Sequence, residues 1–138
     1  MITDAVRVEW NEAHDIVTIS LLKIDRSSID AYVDVNIDLL RDWNKADTIY
    51  KIQDLSHEDV NPTPYLRNRL KDIYAYIRDK QMSVRVAVVL GTGLPGQIFT
   101  IISRVAAITS PNLTQRFFTN MSQAHAWIKK EKRKQAAQ

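Results

Sequence analysis

The sequence predicts a single α/β domain: one mixed, mostly parallel five-stranded sheet with four helices. Three observations carry that expectation. After an opening pair of strand-like runs, strand and helix periodicities alternate to the end of the chain. The run VRVAVVL at 84–90 is almost continuously apolar, as in a strand covered on both faces. No linker, repeat or low-complexity stretch divides the 138 residues, a length suited to one domain, 1–138, with a basic tail at 129–138.

The elements follow in order. VRVEW at 6–10 alternates apolar and polar residues, and so does IVTISLL at 16–22, where Val17, Ile19 and Leu21 share a face. The turn-rich NEAHD between them predicts a hairpin. Ser27 or Ser28 is suited to cap a first helix, with Ile29, Tyr32, Val33, Ile37 and Leu40 as its apolar stripe. TIYKIQDL at 48–55 predicts a third strand and SHEDVNPTP a loop. Thr63 caps the next helix, with Pro64 at its first position, where a missing N–H costs nothing. Leu66, Leu70, Ile73 and Ile77 form that helix's stripe. QIFTIISRVAAIT at 97–109 predicts a third helix, LTQRFF at 113–118 the fifth strand, and Asn120 the cap of the last helix.

Composition narrows the function classes. The chain has no cysteine, so it has no disulfide, thiolate nucleophile or cysteine metal site. Its three histidines, His14, His57 and His125, show no ligand spacing, and no metal or cofactor is expected. No uncharged apolar run approaches the length of a membrane span, and MITDAVRVEWNE lacks the pattern of a signal peptide, so a cytoplasmic protein is expected. The net charge of +3 is unevenly distributed. The tail KKEKRKQAAQ contributes +4, leaving −1 for the other 128 residues. A basic groove of the kind specific nucleic-acid binders carry is therefore not expected, and the tail reads as a solvated, dispensable end.

The element order, the passage from IYKIQDLS into a loop and capped helix, and the ending RFFTNMSQAHAWIKK together resemble the STAS superfamily. Within it they are similar to the SpoIIAA-like branch of anti-sigma-factor antagonists. In that ending the match is Phe118, Thr119, Asn120, Ala124, Ala126, Trp127 and Ile128. The resemblance implies a non-enzymatic regulatory domain that binds a protein partner or, in some relatives, a small ligand or lipid. It also implies a regulatory hydroxyl at the start of the second helix, where this sequence has Thr63. The stretch VNPTPY lacks the family's Asp-Ser-Ser/Thr-Gly motif, which favours Thr63 as an ordinary cap.

All three glycines lie in GTGLPG, directly after the fourth strand. The spacing G-x-G-x-x-G suits a phosphate loop, and Gly91, Thr92, Gly93 and Gly96 form a candidate anion loop. The remainder of a nucleotide site is missing. No acid follows at the next strand end for a ribose, and no Lys-Ser/Thr pair follows Gly96. The glycines are expected to give positive φ and close packing instead.

Asp54 and Ser56, at the end of the third strand, join Thr63 as a candidate regulatory or ligand loop, because strand ends in α/β folds face the ligand crevice. The segment Pro95 to Thr109 carries a single charge, Arg104. Its outer face, with Phe99, Ser103 and Ala106, is a candidate homodimer contact or the border of a pocket for a small apolar ligand. The expected function is a non-catalytic protein-interaction domain. The alternative is a small-molecule or lipid carrier with an apolar pocket beside the 97–109 helix.

Overall fold

The computed structural model describes residues 3–43, 47–57, 63–91 and 112–136. Its elements are β1 (Val6–Trp10), β2 (Ile16–Leu21), α1 (Arg26–Arg41), β3 (Ile49–Leu55), α2 (Pro64–Asp79), β4 (Val84–Leu90), β5 (Leu113–Phe118) and α3 (Met121–Ala136). The strands lie side by side in chain order, β1-β2-β3-β4-β5. β1 pairs antiparallel with β2, and each later neighbour pair is parallel. The expected mixed, mostly parallel sheet is therefore present. Three helices are described rather than four, and the helix expected over 97–109 lies outside the described residues.

The hairpin closes on Asn11. Its side-chain oxygen accepts from the backbone N–H of Asp15 and Ile16, at 2.9 and 3.0 Å, and its amide donates to Asp15. His14 takes φ 59°, in the left-handed region, and stacks on Trp10 with ring centroids 5.2 Å apart.

α1 and α2 cover one face of the sheet. Val17, Ile19 and Leu21 of β2 point there, as their alternation predicts, and meet Ile29, Tyr32, Val33 and Leu40 of α1 and Leu66, Leu70, Ile73 and Ile77 of α2. Two details of α1 differ from the sequence reading. Its cap is Asp25, whose carboxylate accepts from the Ser28 backbone N–H at 2.8 Å, while Ser28 is buried. The inward stripe runs through Ser28, Ile29, Tyr32, Val33, Asn36 and Leu40, so Asn36 is buried and Ile37 only half-buried. The two helices are joined by Arg69, whose Nε donates to Asp30 at 3.0 Å, and by the Tyr65 hydroxyl, which donates to the same carboxylate. α2 ends in a hydrogen-bonded reversal: Met82 N–H donates to the Ile77 carbonyl and Gln81 N–H to that of Arg78, with Gln81 at φ 52°.

α3 packs on the other face, where Ala124 and Ile128 meet Ile16, Tyr50, Ile52, Ala87 and Val89. Asn120 caps it through the Gln123 N–H at 3.1 Å. The tail is helical, with its basic side chains mostly exposed and two contacts back to the body. α3 continues to Ala136, the Tyr50 hydroxyl donates to Gln135, and Lys132 pairs with Asp15.

With helices on both sides, the middle of the sheet has no wet face. Polar residues of β3 are therefore interior. Lys51 is fully buried between Val17 and Val86 of its neighbouring strands, and its ammonium donates to Asn36 Oδ1 at 3.1 Å. Asn36 in turn donates to the Tyr32 carbonyl at 2.8 Å. Burial pulls the Lys51 ammonium down to about 7.

Two predictions follow from these local features. The unfolded chain holds the Lys51 proton to about pH 10.4, the folded chain only to about 7. Between those values the unfolded state binds more protons, so stability rises with pH, by up to about 1.4 kcal/mol per unit. Below that window the contribution is constant. Burial pushes the hydroxyls of Tyr32 and Tyr74 up, so ionisation of the unfolded tyrosines reverses the trend above about pH 10. Denaturant titrations across this range should show the rise in the wild type and its absence in Lys51→Met/Asn36→Leu. Separately, Gln81→Gly should stabilise the fold by up to about 1 kcal/mol, read as a higher denaturation midpoint, because glycine removes the side-chain penalty of the left-handed region.

Candidate functional site

The face that carries α3 changes character across its width. Toward β3 and β4 it is apolar and covered. Toward β1 and β2 alternation places Arg7, Glu9, Thr18 and Ser20 on it, with Asp54 from β3. The register aligns Arg7 with Ser20 and Ser20 with Asp54, one cross-strand row of three polar side chains. The row lies at the C-terminal end of the parallel strands β2 and β3. Met121 and His125, from the first turns of α3, close the far side. Together they wall an open depression of about 280 Å³.

Hydrogen bonds fix the carboxylate at its centre. One Asp54 oxygen accepts from the Ser56 backbone N–H at 3.0 Å and from the Ser56 hydroxyl at 2.5 Å. The other accepts from the Ser20 hydroxyl at 3.3 Å. Ser20 is almost fully buried, so this pair anchors the floor. Arg7 and Glu9 stand above it on β1, 3.8 Å apart, with side chains 45% and 59% exposed. Both charges thus face solvent at the rim. Burial, and then the nearby Lys129, lower the His125 imidazole from its ordinary value.

Asp54 therefore acts as an acceptor that organises the strand end. The Ser56 hydroxyl points its proton at a carboxylate, without an imidazole in the pair, which is not the arrangement of an activated nucleophile. Among the described residues, no group of three His, Asp or Glu side chains is placed to hold a metal ion. No helix among them is long and apolar enough to cross a membrane.

The sequence-predicted positions divide into three groups. Asp54, Ser56 and Gly91 come together at one end of the sheet, where a side chain on Gly91 would lie 3.6 Å from the Ser56 carbonyl. That is ordinary contact, and Gly91 does not have positive φ, so neither reason expected for the glycines applies at this position. Thr63 heads α2, where its hydroxyl accepts from the Leu66 N–H at 3.1 Å. Thr92, Gly93 and Gly96 of the anion loop, and Phe99, Ser103 and Ala106 of the expected interface, lie outside the described residues.

The wall built by Arg7, Glu9, Thr18 and Ser20 was not singled out from the sequence. The signal was present: once Val17, Ile19 and Leu21 are assigned inward, the intervening residues of β2 and their β1 partners must share the opposite face. Compared with known proteins, the chain matches no family model, no curated protein and no solved structure.

The Thr63 cap can be tested directly. Thr63→Ala should cost about 1 kcal/mol in a denaturant titration, while Thr63→Asp should stay near wild type, because an aspartate at the cap accepts the same bond.

Proposed function

We propose that the chain is a non-catalytic regulatory domain of STAS-like type that works by binding a protein partner, or a second copy of itself, at the depression beside β1. One observation carries this reading. The buried polar groups of the site satisfy one another, whereas the charges of Arg7 and Glu9 remain exposed at its rim. An acidic and a basic side chain held side by side over a fixed floor suit recognition of a complementary surface. Asp54 is held as part of the floor by Ser20 and Ser56, which suits a fixed recognition surface.

The STAS-like assignment draws on the antiparallel hairpin followed by sequential parallel strands, and on Thr63 at the head of the helix after β3. A regulatory hydroxyl there would be one already engaged as a cap, so its modification would act through the start of α2.

Photo-crosslinking tests the proposal. A photoreactive residue at Glu9 in the full chain should give a discrete protein adduct in cells. Arg7→Glu should reduce it several-fold, and Arg41→Glu on α1 should leave it unchanged. Native mass spectrometry of the purified protein supplies the second arm. A bound small molecule with no protein adduct would replace this reading with that of a carrier.

A further inference from the structure

α3 presents a second surface, distinct from the depression. Its inward residues, Ala124 and Ile128, are fixed by the sheet, so the outward positions of its C-terminal half are settled. They are Lys129, Lys130, Arg133 and Lys134, all exposed. Residues four apart stack on a helix, so Lys129 with Arg133 and Lys130 with Lys134 form two adjacent rows, a compact block of four cations. The one acid in this stretch, Glu131, is turned aside: its side chain is 16% exposed and pairs with Lys134 at 3.6 Å. The rest of the chain is nearly neutral, so this block is a local feature and not part of a generally basic surface.

Beside the block lies a hollow of about 350 Å³ between α3 and the hairpin turn. Ala13, Ile16 and Ala136 give it an apolar floor, and Lys129, Lys132 and Arg133 rim it. Asp15 also lines it, but its carboxylate is paired with Lys132. Cations around an apolar floor match a ligand that is anionic at its head and apolar behind it. A nucleic-acid duplex offers phosphates without exposed hydrocarbon, and its binders spread their cations along a groove or stripe.

We propose that the outward face of α3 docks on an anionic phospholipid bilayer, with Lys129, Lys130, Arg133 and Lys134 meeting the headgroups and the neighbouring hollow taking apolar lipid substituents. Four clustered basic residues are enough for attraction to an anionic leaflet, and the contact is reversible and weakened by salt. The hollow adjoins the depression, since Asn11 and Ile16 line both, but its cations are not the Arg7–Glu9 rim, so the two readings are tested at different residues.

Vesicle co-sedimentation with the full chain tests it. Vesicles of phosphatidylcholine containing phosphatidylglycerol should retain the protein at low salt and release it above about 0.5 M, where screening shortens to a few ångströms. Phosphatidylcholine alone should not retain it. Lys130→Gln/Arg133→Gln/Lys134→Gln should weaken binding on the order of a hundredfold, at about fivefold per charge. The control Lys23→Gln/Arg78→Gln/Lys80→Gln, with the same change in net charge outside α3, should bind like wild type. Far-UV circular dichroism checks that both variants are folded, and Lys130→Gln alone supplies a milder version of the test. Equal loss in both triple variants, or binding to duplex DNA without binding to anionic vesicles, would overturn the proposal.

Discussion

The arrangement depends on β3 being covered twice. It lies between β2 and β4 in parallel register, reached by Asn36 of α1 on one side and covered by α3 on the other. Parallel strands joined by helical crossovers have few alternatives to this double burial. Both faces of β3 must therefore be resolved within the protein. Ile49 and Leu55 join one core and Tyr50 and Ile52 the other, Lys51 and Asp54 require specific partners or a place at the edge, and the buried Gln53 keeps its amide nitrogen without a hydrogen bond. Asp54 reaches the edge, and that displacement creates the polar end of the sheet. Lys51 does not, and its ammonium depends on the Asn36 amide.

The two sides of the sheet consequently use different chemistry. The α1–α2 side is a broad apolar core with a few buried polar side chains, closed outside by Arg69, Asp30 and Tyr65. The α3 side is narrower. Among the described residues one helix covers β3 and β4, and the half of the face over β1 and β2 carries polar residues. Among the described residues no helix covers this strip, and that strip is the candidate site.

Sequence periodicity revealed the strands and helices because each has one clearly apolar face. Val17, Ile19 and Leu21, or Leu66, Leu70, Ile73 and Ile77, need no tertiary information to be assigned inward. It failed where a polar residue occupies an inward position. Asn36 stands in the α1 stripe and Lys51 in a strand, and each looks solvent-facing until the other is placed opposite it. The cap of α1 was misplaced for a related reason. Asp25, Ser27 and Ser28 are all competent caps, and burial of Ser28 against the core decides among them. The tail's charge indicated solvation but not its contacts with the body. The contacts of Gln135 with Tyr50 and of Lys132 with Asp15 join positions more than eighty residues apart, which local pattern cannot show. Of the site, Asp54 and Ser56 were legible as a strand end, but its opposite wall required the pairing of β1 with β2.

The place of α3 in the chain also sets a schedule. Every strand that it covers is complete before α3 begins, because the chain is made from β1 onward. During synthesis, Tyr50, Ile52, Ala87 and Val89 therefore wait without their cover from Ala124 and Ile128 until the last helix leaves the ribosome. Among the described residues α3 is the helix that covers this strip, and exposed apolar surface on a half-built sheet is what chaperones and aggregates capture. The lysine-rich half of α3 emerges last of the described elements, so the nascent chain is net acidic through most of its synthesis, −7 by residue 60 and still −1 at residue 128, and becomes basic only with that half-helix.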